Sequence, residues 1–126
     1  MESSRYSLIY STNNSYIQVN VTGLRIVKSV TGSQSSKYVL YVDGSSRTDQ
    51  LTFTASGFSI SSGLSNYEIN SFVPSEYRPV QNLYSSIGRT QHILFYLWNN
   101  GTVGLANFTS STLTNQNASC LIRWEY

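Results

Sequence analysis

The side chains able to do acid–base or metal chemistry are few in this sequence, and their spacing assembles nothing. The 126 residues include one His, one Cys and six Asp plus Glu. His92 lies inside the apolar run His92-Ile93-Leu94-Phe95-Tyr96-Leu97-Trp98, where a hydrogen-bonded structural imidazole is favoured over a catalytic one. A single His and a single Cys cannot make a His/Cys metal cluster within one chain. Glycoside hydrolysis needs two facing carboxylates. They would have to come from Glu2, Asp43, Asp49, Glu68, Glu76 or Glu125, whose spacing sets no pair opposite one another. There is no Gly-rich phosphate loop and no nucleophile elbow, since neither Ser7 nor Ser59 has glycines on both sides. The expectation is a protein that binds rather than catalyses, with no cofactor.

Aromatic side chains offer the better lead. Ten Tyr and two Trp present flat apolar faces with a polar tip, a shape that suits sugar rings and protein interfaces alike. Trp98 stands beside the turn Asn99-Asn100-Gly101 and is the best-placed residue for stacking on a sugar. Arg89, His92 and Asp43 complete the candidate saccharide-binding set. Trp124, between Ile122 and the terminus, is expected in the core, and Cys120 is expected to be a buried, inert thiol. Five Asn-x-Ser/Thr sequons occur, at Asn13, Asn20, Asn100, Asn107 and Asn117. With so much Asn, Ser and Thr in the chain, they read as composition rather than as glycosylation sites.

The elements that must position these residues are strands. Alternation of period two runs through Tyr16–Val21, Leu24–Ile26, Lys37–Val42, Leu51–Thr54, Phe58–Ser61, Tyr67–Phe72, His92–Trp98, Thr102–Leu105 and Ser119–Tyr126. Asp43-Gly44, Ser56-Gly57 and Asn99-Asn100-Gly101 supply turn chemistry between them. The segment Val80–Ile87 fits either a strand or one helical turn. Turn signals every ~8–12 residues predict an all-β domain, an antiparallel barrel or jelly-roll-like sandwich of about 8–10 short strands. With no repeat and no linker, residues 1–126 read as one domain.

Composition agrees. Charged residues are 11% of the chain, against roughly 25% in ordinary soluble domains. Polarity comes instead from Ser, Thr, Asn and Gln, which compete with helical hydrogen bonds and favour strands and turns. A net charge of +2 provides no polybasic patch, so nucleic acid is not an expected partner. No apolar stretch approaches the roughly 20 residues of a membrane span, and no secretory h-region begins the chain. A neutral surface rich in Ser, Asn, Thr and Tyr fits hydroxyl-rich ligands.

The segment Phe72-Val73-Pro74-Ser75-Glu76-Tyr77-Arg78-Pro79 is followed by a strand, the Asn-Gly turn into Thr102-Val103-Gly104-Leu105, a polar loop and a terminal strand closing on an aromatic residue. Over about half the chain, Tyr67 to Tyr126, this resembles the C-terminal head domain of tailed-phage receptor-binding and baseplate proteins from phages of Gram-positive bacteria. In those heads a Leu/Val-Pro-x-x-Tyr-Arg-Pro segment leads into such a hairpin. The resemblance implies a homotrimeric head at the tail tip or baseplate of the virion, made in the host cytoplasm and binding host cell-wall saccharide beside other tail proteins. Pro74, Tyr77, Arg78 and Pro79 would be structural, with the prolines holding the segment extended and Tyr77 and Arg78 pinning it down. The chain shows neither heptads nor Gly-x-y repeats of a stalk, so it is expected to be an excised head or a small stand-alone virion protein. The alternatives are a structural tail protein without receptor binding, a carbohydrate-binding module, and a glycan hydrolase domain.

Overall fold

A computed structural model describes residues 9–12, 15–18, 24–43, 46–87 and 92–125, with the backbone alone for the first two stretches. Alternating apolar residues become strands, and ten of them are present among the described residues: β1 Ile9–Thr12, β2 Ser15–Gln18, β3 Leu24–Thr31, β4 Lys37–Asp43, β5 Thr48–Ile60, β6 Gly63–Ile69, β7 Leu83–Ser86, β8 Ile93–Leu97, β9 Val103–Asn107 and β10 Leu113–Glu125. They form two four-stranded antiparallel sheets, ordered β10-β5-β4-β3 and β6-β9-β8-β7, with a separate β1–β2 pair beside β10. The fold is therefore an all-β sandwich. Neither sheet closes on itself, so of the two expected architectures the barrel is not formed.

The core lies between the sheets and follows from the alternation. Tyr38, Leu40 and Val42 of β4 face inward with Leu51 and Phe53 of β5, opposite Ile93, Phe95 and Leu97 of β8. Tyr38 and Phe53 lie 5.0 Å apart between ring centroids, and Phe58 meets Phe53 edge-on at 6.0 Å. Trp124 and Cys120 take the buried positions expected of them on β10.

The two runs expected around Ser56-Gly57 are one strand instead. Gly57 has φ 61, and the register with β10 slips there, with three residues of β5 spanning two of β10. This bulge shifts the inward phase from Leu51, Phe53 and Ala55 to Phe58 and Ile60 without ending the strand. β10 also starts earlier than the run from Ser119 indicates, because Leu113 and the polar Thr114-Asn115-Gln116-Asn117 continue the pairing with β5. Val80–Ile87 contains strand β7, and the short 3-10 turn falls at Ser75–Tyr77.

The second sheet is a Greek key: β7, β8 and β9 follow one another, and β6 returns beside β9. Its long connection, between β6 and β7, contains both prolines. That connection is fastened at several points. Trp124 Nε1–H donates to the Tyr77 carbonyl at 2.7 Å, and Arg78 Nε–H donates to the Val73 carbonyl at 2.8 Å. Val73 N–H reaches the Gly101 carbonyl at 3.1 Å. Lys28 of β3 donates to the Phe72 carbonyl at 3.1 Å and lies over its ring.

Candidate functional site

The strand order of the second sheet gathers aromatic side chains on its outer face. Ile93, Phe95 and Leu97 of β8 point into the core, so Leu94, Tyr96 and Trp98 point away from it. Tyr96 pairs with Tyr84 on one side and Gly104 on the other. Because Gly104 has no side chain, the Tyr96 ring lies across β9, where an added Cβ would collide with its hydroxyl end. The hydroxyl thereby reaches β6 and donates to Glu68 Oε2 at 2.7 Å. Burial, followed by this bond and the charge of Glu68, holds the Tyr96 hydroxyl well above the ordinary tyrosine range; a hydrogen bond with Ser65 pulls weakly the other way. Tyr96 is thus neutral and fixed.

Trp98 stacks on Tyr96, with centroids 4.2 Å apart and planes 13° from parallel, and Tyr84 meets the indole at 75° and 5.5 Å. The Trp98 backbone is clamped by its N–H on the Thr102 carbonyl at 2.8 Å, while Gly101 N–H returns to the Trp98 carbonyl at 2.9 Å. Beside it, Asn99 N–H donates to Asn82 Oδ1 at 2.8 Å, tying the β8–β9 turn to the start of β7. Tyr96 is 1% exposed and serves as the support, whereas Tyr84 is 54% exposed and Trp98 is half-buried. The result is a rigid aromatic platform edged by Asn side chains and one carboxylate.

Of the residues expected at a saccharide site, only Trp98 belongs to this platform. His92 is exposed just ahead of β8, while Trp98 follows its other end, roughly 20 Å away along an extended strand. Asp43 ends β4 in the other sheet. It is buried, and its Oδ1 accepts from the Ser46 N–H at 3.4 Å, a bond that shapes the β4–β5 turn. Arg89 lies outside the described residues. The structure does not bring Trp98, His92 and Asp43 together. The members that sequence reasoning missed are Tyr84, Tyr96 and Glu68. The available signal was the i, i+2 spacing of Tyr96 and Trp98 with glycine at Gly104 on the next strand.

Three sequons have structural duties. Asn107 is buried, and its Nδ2 donates to the Ile60 and Ser111 carbonyls, both at 3.1 Å. Asn117 Oδ1 accepts from Gly57 N–H at 2.9 Å, holding the β5 bulge. Asn100 Oδ1 likewise accepts from Thr102 N–H at 3.0 Å.

Among the described residues, the carboxylates Asp43, Asp49 and Glu68 do not converge. Asp49 faces the core beside Val42, Asp43 is one position further along β4 and so on that sheet's outer face, and Glu68 belongs to the other sheet. Among the described residues, no group of three His, Cys, Asp or Glu could hold a metal ion, and no helix is long and apolar enough to cross a membrane. In comparisons with known proteins, no family model matches this chain, and no curated protein or solved structure matches it.

Proposed function

We propose that this chain is a non-catalytic saccharide-binding head, carried as a homotrimer at the tail tip or baseplate of a phage and recognising polysaccharide of the host cell wall. The phage assignment rests on the resemblance of the Pro74–Pro79 segment and the hairpin that follows it. The saccharide assignment is carried by one observation: Trp98 stacked at 4.2 Å on an immobilised Tyr96, with Tyr84 54% exposed beside it. Sugar rings bind aromatic faces through their C–H groups and bind Asn or carboxylate groups through their hydroxyls. A platform already stacked and hydrogen-bonded loses little side-chain entropy when a ligand arrives. Dispersal of Asp43, Asp49 and Glu68 over separate faces favours binding over hydrolysis, which needs two carboxylates ~5–10 Å apart.

The test is retention on purified host cell walls. Trp98→Ala and Tyr84→Ala should each weaken binding about tenfold or more, equivalent to ~1.4 kcal/mol, while leaving the melting transition in place. Full retention by both variants would remove the platform from the site.

A further inference from the structure

Between β3 and β6, on the side of the sandwich where the two sheets part, lies a cleft of about 190 Å³. Ser33 and Ser36 of the β3–β4 loop, Tyr38 of β4, and Tyr67 and Glu68 of β6 are among its walls. This is less than the roughly 300 Å³ at which drug-sized pockets begin, and it suits a single sugar ring. Glu68 belongs to both places: it lines the cleft, and its Oε2 accepts the Tyr96 hydroxyl under the aromatic platform. A ligand lying on the platform and crossing the β6 edge would therefore arrive at the cleft.

The cleft is built in advance. Gln34 (φ 54), Ser35 (φ 57) and Tyr67 (φ 54) adopt left-handed backbone beside it, a conformation that is strained for residues with a side chain and persists only where the surroundings hold it. Here they do. Gln34 Nε2 donates to the Tyr67 hydroxyl at 2.8 Å, and Gln34 Oε1 accepts from Ser59 N–H at 2.8 Å. The Tyr67 hydroxyl donates to the Ser59 carbonyl at 2.6 Å, and the Tyr38 hydroxyl donates to the Tyr67 carbonyl at 3.1 Å. Both phenols thus spend their protons inside the wall, and the Tyr67 hydroxyl also accepts from Gln34, so the Glu68 carboxylate is the acceptor left for a ligand and the cleft favours a hydrogen-bond donor. Among the described residues, Glu68 is its one charged lining residue, and no Lys or Arg lines it. A phosphodiester would meet that carboxylate with no cation to offset the repulsion.

We infer that this cleft is a second sugar subsite, joined through Glu68 to the Tyr84–Trp98–Tyr96 platform. The two together read a neutral or amino-bearing saccharide of at least two rings, and discriminate against phosphodiester polymers. The inference rests on the saccharide-binding reading above and adds the ligand's charge and minimum length.

The experiment uses immobilised bacterial wall glycans of three kinds: neutral polysaccharide, amino-sugar-rich polysaccharide and glycerol-phosphate teichoic acid. Size-graded hydrolysates of the best-bound glycan then give the length dependence. Wild-type protein should bind a neutral or amino glycan at least about tenfold more tightly than teichoic acid, and affinity should rise by about tenfold or more beyond one ring. Ser33→Trp, at an exposed loop position, should abolish the gain with length. Glu68→Lys, also exposed, should narrow or reverse the preference against teichoic acid, with melting curves confirming that both variants fold. Teichoic acid bound best by wild type, or a length dependence unchanged in Ser33→Trp, overturns the inference. If Trp98→Ala still abolishes glycan binding in that case, the saccharide-binding reading survives without it. Wild-type protein that binds none of the three kinds of glycan counts against both.

Discussion

Asp49 is the residue whose environment and charge are most in conflict. It is 0% exposed, neither carboxylate oxygen has a hydrogen-bond partner, and its neighbours across the strands are Val42 and Trp124. Burial pushes its pKa from the ordinary 3.8 to about 7, against a weaker opposing pull from Arg47. Since the folded state holds this proton more tightly than the unfolded chain does, the stability it confers is complete below the unfolded pKa. That stability is lost as pH rises toward 7. Thermal or denaturant unfolding should therefore show stability falling from about pH 4 to pH 7 and then levelling, and Asp49→Asn should flatten that slope while gaining ~1–3 kcal/mol at pH 8. A parallel pH profile for wild type and variant would show that Asp49 stays ionised in the fold. Gly104 makes the complementary case on the outer face, where absence of a side chain is what lets Tyr96 cross β9 to Glu68. Gly104→Ala should displace the ring, cost ~1–3 kcal/mol and release the Trp98 stack, which near-ultraviolet circular dichroism would register. An unchanged aromatic signal would mean that the ring can be carried another way.

Among the elements, the β6–β7 connection depends most on close fit. An added Cβ at Gly101, whose φ is 86, would meet the Val73 carbonyl oxygen at 2.5 Å and Arg78 Nε at 2.7 Å. Gly101→Ala should thus cost ~2 kcal/mol or more through both backbone and contact. Trp124→Phe, which removes the N–H donated to Tyr77 together with the five-membered ring that carries it, should cost ~2–3 kcal/mol. Melting temperatures of the two variants check both, and a silent Trp124→Phe would show that the segment is held by packing alone. That the segment needs fastening was readable from the sequence, because two prolines remove its ladder donors; the bonds themselves were not, since Tyr77 takes part through its backbone carbonyl and Arg78 closes onto Val73 within the segment. The individual strands were equally readable, since period-two alternation is local. Two features were not. The bulge at Gly57 restored an inward phase that looked like a second strand, and the polar start of β10 carried no apolar alternation. The platform lay further out of reach. Glu68 and Tyr96 are 28 positions apart, and only the order β6-β9-β8-β7 places them on one face. Trp98 was legible because it adjoins a turn. His92 shares its run and yet falls at the opposite strand end.

At the scale of the whole molecule, the question is how copies or partners attach, and the sheet edges narrow the answer. An open sandwich has four outer strands, each a template for another chain unless blunted. Here β3 has a bulge between Ile26 and Lys28, β6 has two register shifts, β10 has two, and β7 is only four residues long. Lys28 and Arg25 add charge to the β3 edge. Bulges twist an edge and interrupt the regular row of donors and acceptors that strand addition needs. A structural tail protein that grips its neighbours through edge strands fits this arrangement poorly, and assembly through side chains and loops fits it better. Light scattering should then report three times the 14.1 kDa chain mass. Hydrogen exchange should meanwhile show the outward amides of β3 and β6 exchanging as fast in the assembled protein as in dilute solution. A mass of 14.1 kDa at high concentration would remove the trimer. Protection spreading along β3 on assembly would mean that the strand is continued by another chain, which favours the structural role over receptor binding.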